Sequence, residues 1–148
     1  MSNITHTPID GDMKEKVMAL QKAMIEGVTP IELETRHRFH GGMYMREVFR
    51  PAGCIIVGKV HKKEHFYIVL SGTVVITTDT GVIEVTGPYV FESVPGTKRA
   101  VFAKTDAICI TIHVAESTTV EEVENELVEE DPDCVYLPGN TLKERALP

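Results

Sequence analysis

A rhythm of short β-prone runs separated by turn residues fills the middle of the chain and restricts its fold more than any other feature. The runs cover residues 32–38, 43–50, 54–60, 64–70, 73–78, 82–86, 89–93, 99–103 and 107–114. Many short strands at such spacing are typical of an all-β sandwich or barrel. The clearest hairpin is "GTVVITTDTGVIEV", in which two β-branched runs flank Asp79-Thr80-Gly81 and the glycine supplies a φ > 0 position.

Each end of this strand-rich region carries a predicted helix. Residues 1–9 read as a loose arm, after which Asp12 can cap a helix that stops at Gly27. Beyond the last strand, Thr118 or Thr119 can cap a second helix with an apolar stripe. We therefore divide the chain into an N-terminal arm and helix (1–31), a single antiparallel β-barrel (32–114), and a C-terminal helix with an extended tail (115–148).

Charge and composition exclude several classes of protein. A formal net charge of −7 argues against a general nucleic-acid surface. No segment has the roughly 20 apolar residues that a membrane-spanning helix needs, so we predict no membrane insertion. The polar start "MSNITHTPIDGDMKEK" lacks the apolar stretch of a secretory signal. The 3 cysteines have no CxxC spacing and indicate neither a disulfide framework nor a zinc ribbon.

The stretch "HKKEHFYIVLSG" raises the question of a metal, because His61 and His65 lead directly into an apolar run. On a straight strand two rings four residues apart share a face but lie about 13 Å apart, too far to share an ion. A shared ion therefore requires a bend. His113 ends another apolar run and would be a third ligand if it faces inward, since three histidines suit Fe, Ni or Zn. The alternative is that these histidines are core, interface or surface residues.

The sequence resembles the cupin superfamily at two motifs. Gly58-x-x-His61-x-x-x-His65, six further residues and Gly72 resemble the first cupin motif. Aligned on Gly72, the superfamily's first histidine, second histidine and glutamate correspond to Lys59, His61 and His65. "VPGTKRAVFA" resembles the second motif, with Arg99 at its histidine and Ala103 at its asparagine. The resemblance implies a cupin-like antiparallel β-barrel, or jelly roll, whose cup contains His61, His65, Arg99 and Lys59.

The substitutions at the motif positions imply a degenerate metal site. Lysine and arginine offer no lone pair at neutral pH, and a cation inside the cup repels a metal ion. We therefore predict no bound metal and no cofactor; if there is one, it is a single divalent transition metal on His61, His65 and His113. Arg46 and Arg99 could instead hold an anion through their forked guanidinium groups, or pair with acidic neighbours.

A more specific resemblance is to small cupin-like proteins encoded in bacteriophage and prophage genomes. It involves "MREVFRPAGCIIVGKVHKKEH", "PGTKRAVFA" and "TIHV". The resemblance implies a virus-encoded β-barrel and does not imply a reaction. Because of the substituted ligand positions and the two flanking segments, we expect a non-enzymatic structural, attachment or oligomerisation module. Two alternatives stay open: a metal-dependent small-molecule enzyme of dioxygenase or isomerase type, and a module that binds a small anion through Arg99 and Lys59.

Two runs are apolar on both faces, Cys54–Val57 and Ile108–Ile112, although a lone barrel needs only one buried face per strand. We therefore predict a homo-oligomer. The expected partners are copies of this chain and, for a phage protein, other phage structural proteins. The expected location is the host cytoplasm, with or without assembly into a virion.

Overall fold

The computed structural model describes residues 4–27, 29–136 and 142. Within these ranges the chain forms strands and two helices. One helix follows the first strand, and the other follows the last strand. The elements are β1 (Ile4–Pro8), α1 (Met13–Gly27), β2 (Thr35–His40), β3 (Met43–Arg50), β4 (Ile55–Val57), β5 (His65–Ser71), β6 (Thr73–Thr78), β7 (Gly81–Thr86), β8 (Tyr89–Ser93), β9 (Ala100–Ala103), β10 (Ala107–Val114) and α2 (Val120–Leu127).

The strands form two antiparallel sheets that enclose the core. The first sheet has the order β1-β7-β6-β9-β4, and the second has the order β2-β3-β10-β5-β8. The chain passes from one sheet to the other between most consecutive strands, as in a jelly roll, whereas β2–β3 and β6–β7 are hairpins within one sheet. The predicted all-β class with flanking helices is therefore confirmed, although the barrel consists of two sheets rather than one closed sheet.

The predicted loose arm is wrong for Ile4–Pro8, which forms an edge strand of the first sheet. This strand, β1, pairs with β7 in the register Ile4↔Val85 to Pro8↔Gly81. A Cβ built on Gly81 would lie 2.1 Å from the carbonyl oxygen of Thr7, so this glycine gives β1 room to approach. The polar segment "ITHTP" carries no apolar alternation, which is why its pattern did not indicate a strand.

An apolar core fills the space beneath the first sheet. Its inward side chains alternate along β6 and β7 and meet Val69 of β5 from the facing sheet. Val69, Val74, Ile76 and Val85 have no exposed surface. Burial of such side chains contributes about 1.5–3 kcal/mol each, so this cluster stabilises the fold.

Both helices begin at the predicted caps. Asp12 Oδ1 accepts a hydrogen bond from the Lys14 amide at 2.9 Å, and α1 packs Met13 and Val17 against β4 and β9. Thr119 caps α2, where its Oγ1 accepts from the Glu122 amide at 3.3 Å. In the described part of the chain, no helix is long and apolar enough to cross a membrane.

Helix α2 is fastened to the segment that precedes β5. The Lys62 amide donates to the Leu127 carbonyl at 2.8 Å, and the Glu129 amide donates to the Val60 carbonyl at 2.8 Å. The Glu126 carboxylate accepts from Lys63 Nζ at 2.6 Å. His61 forms an isolated antiparallel bridge with Val128. These contacts place the His61 segment and α2 side by side.

Candidate functional site

A cavity of about 110 Å³ lies between the two sheets, and we call it the cup. Its cationic lining consists of Arg46, Arg50, Lys59 and Arg99, and its imidazoles are those of His61, His65 and His113. Of the described residues that line it, Glu124 on α2 contributes the one carboxylate. The four candidate residues of the motif alignment therefore all line the cup, whereas their role in binding stays a prediction.

The second sheet directs polar side chains into the cup because alternate residues of its strands face inward. Arg46 and Arg50 are four residues apart on β3, and His65 and Tyr67 are two apart on β5. His113 lies opposite Tyr44, and Thr111 lies opposite both Arg46 and Tyr67 in the ladders around β10. One face of a central sheet thus gathers charged and hydrogen-bonding groups.

The three histidines of the cup lie against each other. The ring centroids of His61 and His65 are 4.4 Å apart, those of His65 and His113 are 4.5 Å apart, and those of His61 and His113 are 6.1 Å apart. His61 precedes β5 and is held to the adjacent turn, where its amide donates to the Thr97 carbonyl at 3.0 Å. The chain bends between His61 and His65, so the separation of about 13 Å expected on a straight strand does not apply.

One ring nitrogen in each of two histidines is oriented by a neighbouring group. His65 Nδ1 lies 3.4 Å from the Lys63 carbonyl, which can only accept, so Nδ1 carries the proton and Nε2 has the lone pair. His113 Nε2 shares a hydrogen bond of 2.9 Å with Thr111 Oγ1. The other buried ring nitrogens, His61 Nδ1, His65 Nε2 and His113 Nδ1, have no hydrogen-bond partner among the described residues.

Burial keeps all three imidazoles neutral at physiological pH. Desolvation, followed by the charges of His65 and Arg99, lowers the pKa of His61 to about 2. Desolvation also lowers the pKa of His65 to about 4, with Arg99 contributing. The pKa of His113 falls to about 3 through desolvation, His65 and Arg46. A ligand in the cup therefore meets neutral rings that can donate or accept hydrogen bonds.

The donor chemistry of this trio fits a transition metal, because a metal-bound histidine usually donates its other N–H to a carbonyl or similar group. The positions of the three rings fit a metal ion less well. No group of three histidine, cysteine, aspartate or glutamate side chains in the described ranges is arranged to hold one metal ion. In addition, the charges of Arg99 and Arg46 act on these rings. The prediction of no metal remains open.

Two buried guanidinium groups, those of Arg50 and Arg99, line the cup together with the histidines. Arg50 is 8% exposed and Arg99 is 7% exposed. Nε and Nη1 of both residues are buried without a hydrogen-bond partner among the described residues. Arg99 Nη2 donates to Ser93 Oγ at 2.5 Å, and its Cζ lies 5.0 Å from the centre of the Tyr67 ring. We call Arg50 and Arg99 the arginine pair.

Sequence reasoning missed Arg50. Arg50 ends a β-prone run just before a turn, but its spacing from Arg46 puts both residues on one strand face, which was the available signal. His37 on β2 is half-buried, and its Nδ1 shares a hydrogen bond of 2.5 Å with the Tyr44 hydroxyl. Glu47 does not pair with Arg46; Arg38 approaches it at 3.7 Å instead.

Comparisons with known proteins identify the fold. No family model and no curated protein matches this sequence. A cupin superfamily protein from Desulfitobacterium hafniense is 14% identical, with a TM-score of 0.50 over 63% of this chain and 88% of that one. Salicylate 1,2-dioxygenase from Pseudaminobacter salicylatoxidans is 8% identical, with a TM-score of 0.52 over 69% of this chain and 33% of the enzyme.

At these identities the likeness shows the fold alone. The chain has the cupin jelly-roll fold, and the fold expected from the two motifs is confirmed. Neither structure bears on a phage origin, which stays a prediction.

Proposed function

We propose that the cup binds a small molecule through an anionic group held by the arginine pair, Arg50 and Arg99. The observation that carries this proposal is that both guanidinium groups are buried with unpartnered N–H groups. No ion pair in the described part of the chain involves Arg46, Arg50 or Arg99. An arginine remains charged in proteins, so these side chains bring positive charge into the cup.

The energetic reason for expecting an anion at the arginine pair is the cost of a buried charge that lacks a counter-ion. Such a group forfeits its hydration, and the loss is recovered only through an opposite charge with good hydrogen bonds. Planar guanidinium groups bind carboxylate or phosphate oxygens in a bidentate manner. The Tyr67 and Phe91 rings lie 5.0 and 5.4 Å from Arg99 Cζ and hold its fork in place. The pair is thus arranged for an anion.

The test is calorimetric titration with acetate, inorganic phosphate, sulfate and succinate, at ionic strength kept constant with KCl. The neutral amides acetamide and succinamide are the reference ligands. Wild-type protein should bind at least one anion and neither amide. Arg50→Gln and Arg99→Gln should each weaken binding by about 10–100-fold, because a charged hydrogen bond contributes roughly 1.5–3 kcal/mol.

Lys104→Gln is the control, since Lys104 follows β9 with an exposed side chain outside the cup. It should leave the affinity unchanged. Binding of the amides as tightly as the anions, or no binding of any anion, would overturn the proposal.

A second candidate is a metal-dependent small-molecule enzyme, which the three unpartnered ring nitrogens favour. His61, His65 and His113 would hold the ion, and the bound ion would act as a Lewis acid toward a ligand oxygen. The cationic arginines oppose this candidate. Metal analysis of protein purified without a histidine tag separates the two: stoichiometric iron, nickel, manganese or zinc supports the enzyme, and substoichiometric metal supports the binder.

The third candidate is the oligomerisation module that the phage resemblance implies. The observation in its favour is an apolar outer face on the second sheet, where Phe66 is 49% and Leu70 45% exposed. We propose that a second copy of this chain covers this face. Basic Arg36 and Arg38 lie at its β2 edge and Glu92 at its β8 edge. A twofold axis along the strands would set these edges opposite each other.

A further inference from the structure

We propose that the ligand of the cup is a small dicarboxylate, with one carboxylate at the arginine pair and the other at Arg46. This inference rests on the proposed function and names its ligand class. It starts from a third guanidinium group that the arginine pair does not include. Arg46 also lines the cup, makes no ion pair with a described residue, and has a buried Nε without a partner.

The backbone separates Arg46 from Arg50. They are four residues apart on β3, which corresponds to about 13 Å between their Cα atoms on an extended strand. Their partners across the ladder differ accordingly: Arg46 lies opposite Thr111, whereas Arg50 lies opposite Ala107. The two guanidinium groups therefore enter the cup at different heights along β3. We call these the Arg46 level and the Arg50 level.

The surroundings of the two levels are also different. The charge of Arg46 acts on Tyr44, His61 and His113. The charge of Arg50 acts on Tyr67 and Cys54. Arg99 stacks on Tyr67, on which the charge of Arg50 acts. Its own charge also acts on His61 and His65, so Arg99 reaches groups of both levels. The cup thus has two cationic ends.

Neutral hydrogen-bonding groups also line the cup. The three imidazoles and the Thr111 hydroxyl line the same cavity and add no negative charge. Glu124 is the one carboxylate among the described lining residues, and it lies on α2 at the Arg46 end. A cavity of about 110 Å³ restricts the ligand to a short chain. A four- or five-carbon diacid matches a small cup with a cation at each end.

The test compares succinate and glutarate with butyrate and pentanoate by calorimetric titration of the full chain at constant ionic strength. We expect wild-type protein to bind each diacid at least tenfold more tightly than the monoacid of the same length. Arg46→Gln should remove this advantage, because it should weaken diacid binding at least tenfold more than monoacid binding. Arg46→Lys should retain most of the advantage, and Arg50→Gln should weaken both classes.

Thermal unfolding of each variant confirms that it is folded, and Lys104→Gln again controls for the loss of a positive charge. If diacids and monoacids bind equally well, or if Arg46→Gln leaves their ratio unchanged, the dicarboxylate inference is wrong while the proposed function stands. If neither class nor any other anion binds, the proposed function itself fails.

Discussion

The two sheets of this fold distribute polar and apolar side chains in opposite ways. In the first sheet, inward residues such as Ile76 and Val85 are apolar and fully buried, whereas Glu84 on the outer face pairs with Lys104 at 2.9 Å. In the second sheet, inward positions carry arginine, histidine and tyrosine in addition to apolar residues such as Val69. Outward positions there carry Phe66, Leu70 and the isoleucines of β10.

This difference between the sheets separates two roles, stabilising the fold and lining the cup. An antiparallel sheet with one wet face normally buries its apolar side chains and exposes its polar ones. The first sheet follows that rule, and its inward side chains form the larger part of the main apolar cluster. The second sheet departs from it, and departures of this kind are expected at functional sites. Its inner face suits a ligand and its outer face suits another protein surface.

The largest expected effect is on the free energy of unfolding, and it is confined to the first sheet. Ile76→Ala removes a side chain with no exposed surface and should lower the free energy of unfolding by about 2–4 kcal/mol. Ile110→Ala, on the outer face of the second sheet, should cost less than about 1 kcal/mol because Ile110 is only partly buried. Urea unfolding measures both. Equal losses would contradict the division of roles.

The next effect concerns assembly. Phe66→Lys places a charge on the outer face of the second sheet and should dissociate the homo-oligomer to the 16.4 kDa monomer. The matched change on the outer face of the first sheet, Val75→Lys, should preserve the assembly. Light scattering at micromolar concentration measures both masses. A wild-type mass of one chain would refute the predicted oligomer.

A smaller effect should appear as pH dependence of stability. The lowered pKa values of His61, His65 and His113 mean that the unfolded chain binds more protons than the folded protein below pH about 6.5. The free energy of unfolding should therefore fall as the pH drops. Each buried imidazole should contribute at most about 1 kcal/mol of this loss between pH 6.5 and 5.5.

His113→Asn should flatten that dependence by one such contribution, as measured by urea unfolding at several pH values. His40→Asn removes an exposed imidazole and controls for the loss of a histidine. An unchanged slope in His113→Asn would show that its burial does not control the titration.

The smallest effect is at the helix beside the cup. Thr119→Ala removes the cap of α2 and should cost about 1 kcal/mol, whereas the adjacent Thr118→Ala should be nearly neutral. Because α2 is fastened to the His61 segment, ligand affinity measured alongside stability shows whether this helix positions the cup. An equal cost in both variants would contradict the cap assignment.

Local patterns predicted most of the fold. β-branched runs and turn residues located strands such as β3, β6 and β10, since alternation and turn chemistry are local properties. The predicted caps at Asp12 and Thr119 were correct for the same reason. β1 was missed because its place depends on the room that Gly81 leaves, which is a contact between distant segments.

The candidate site was less predictable because it depends on how distant strands meet. The motif resemblance led to His61, His65 and Arg99, whereas the bend that brings the first two rings to 4.4 Å is a tertiary feature. Arg50 has no motif position, and its burial beside Tyr67 follows from the packing of β3 and β5 on β10. No pattern along the chain indicates that its N–H groups lack partners.

A crystal structure of the protein grown with succinate tests the central claim most directly. We predict a carboxylate within hydrogen-bonding distance, about 2.7–2.9 Å, of the Arg50 and Arg99 guanidinium groups, with the three imidazoles beside it. A metal ion about 2.0–2.1 Å from the ring nitrogens of His61 and His65, with no anion at the arginine pair, would contradict it. So would a cup that contains only water at saturating succinate.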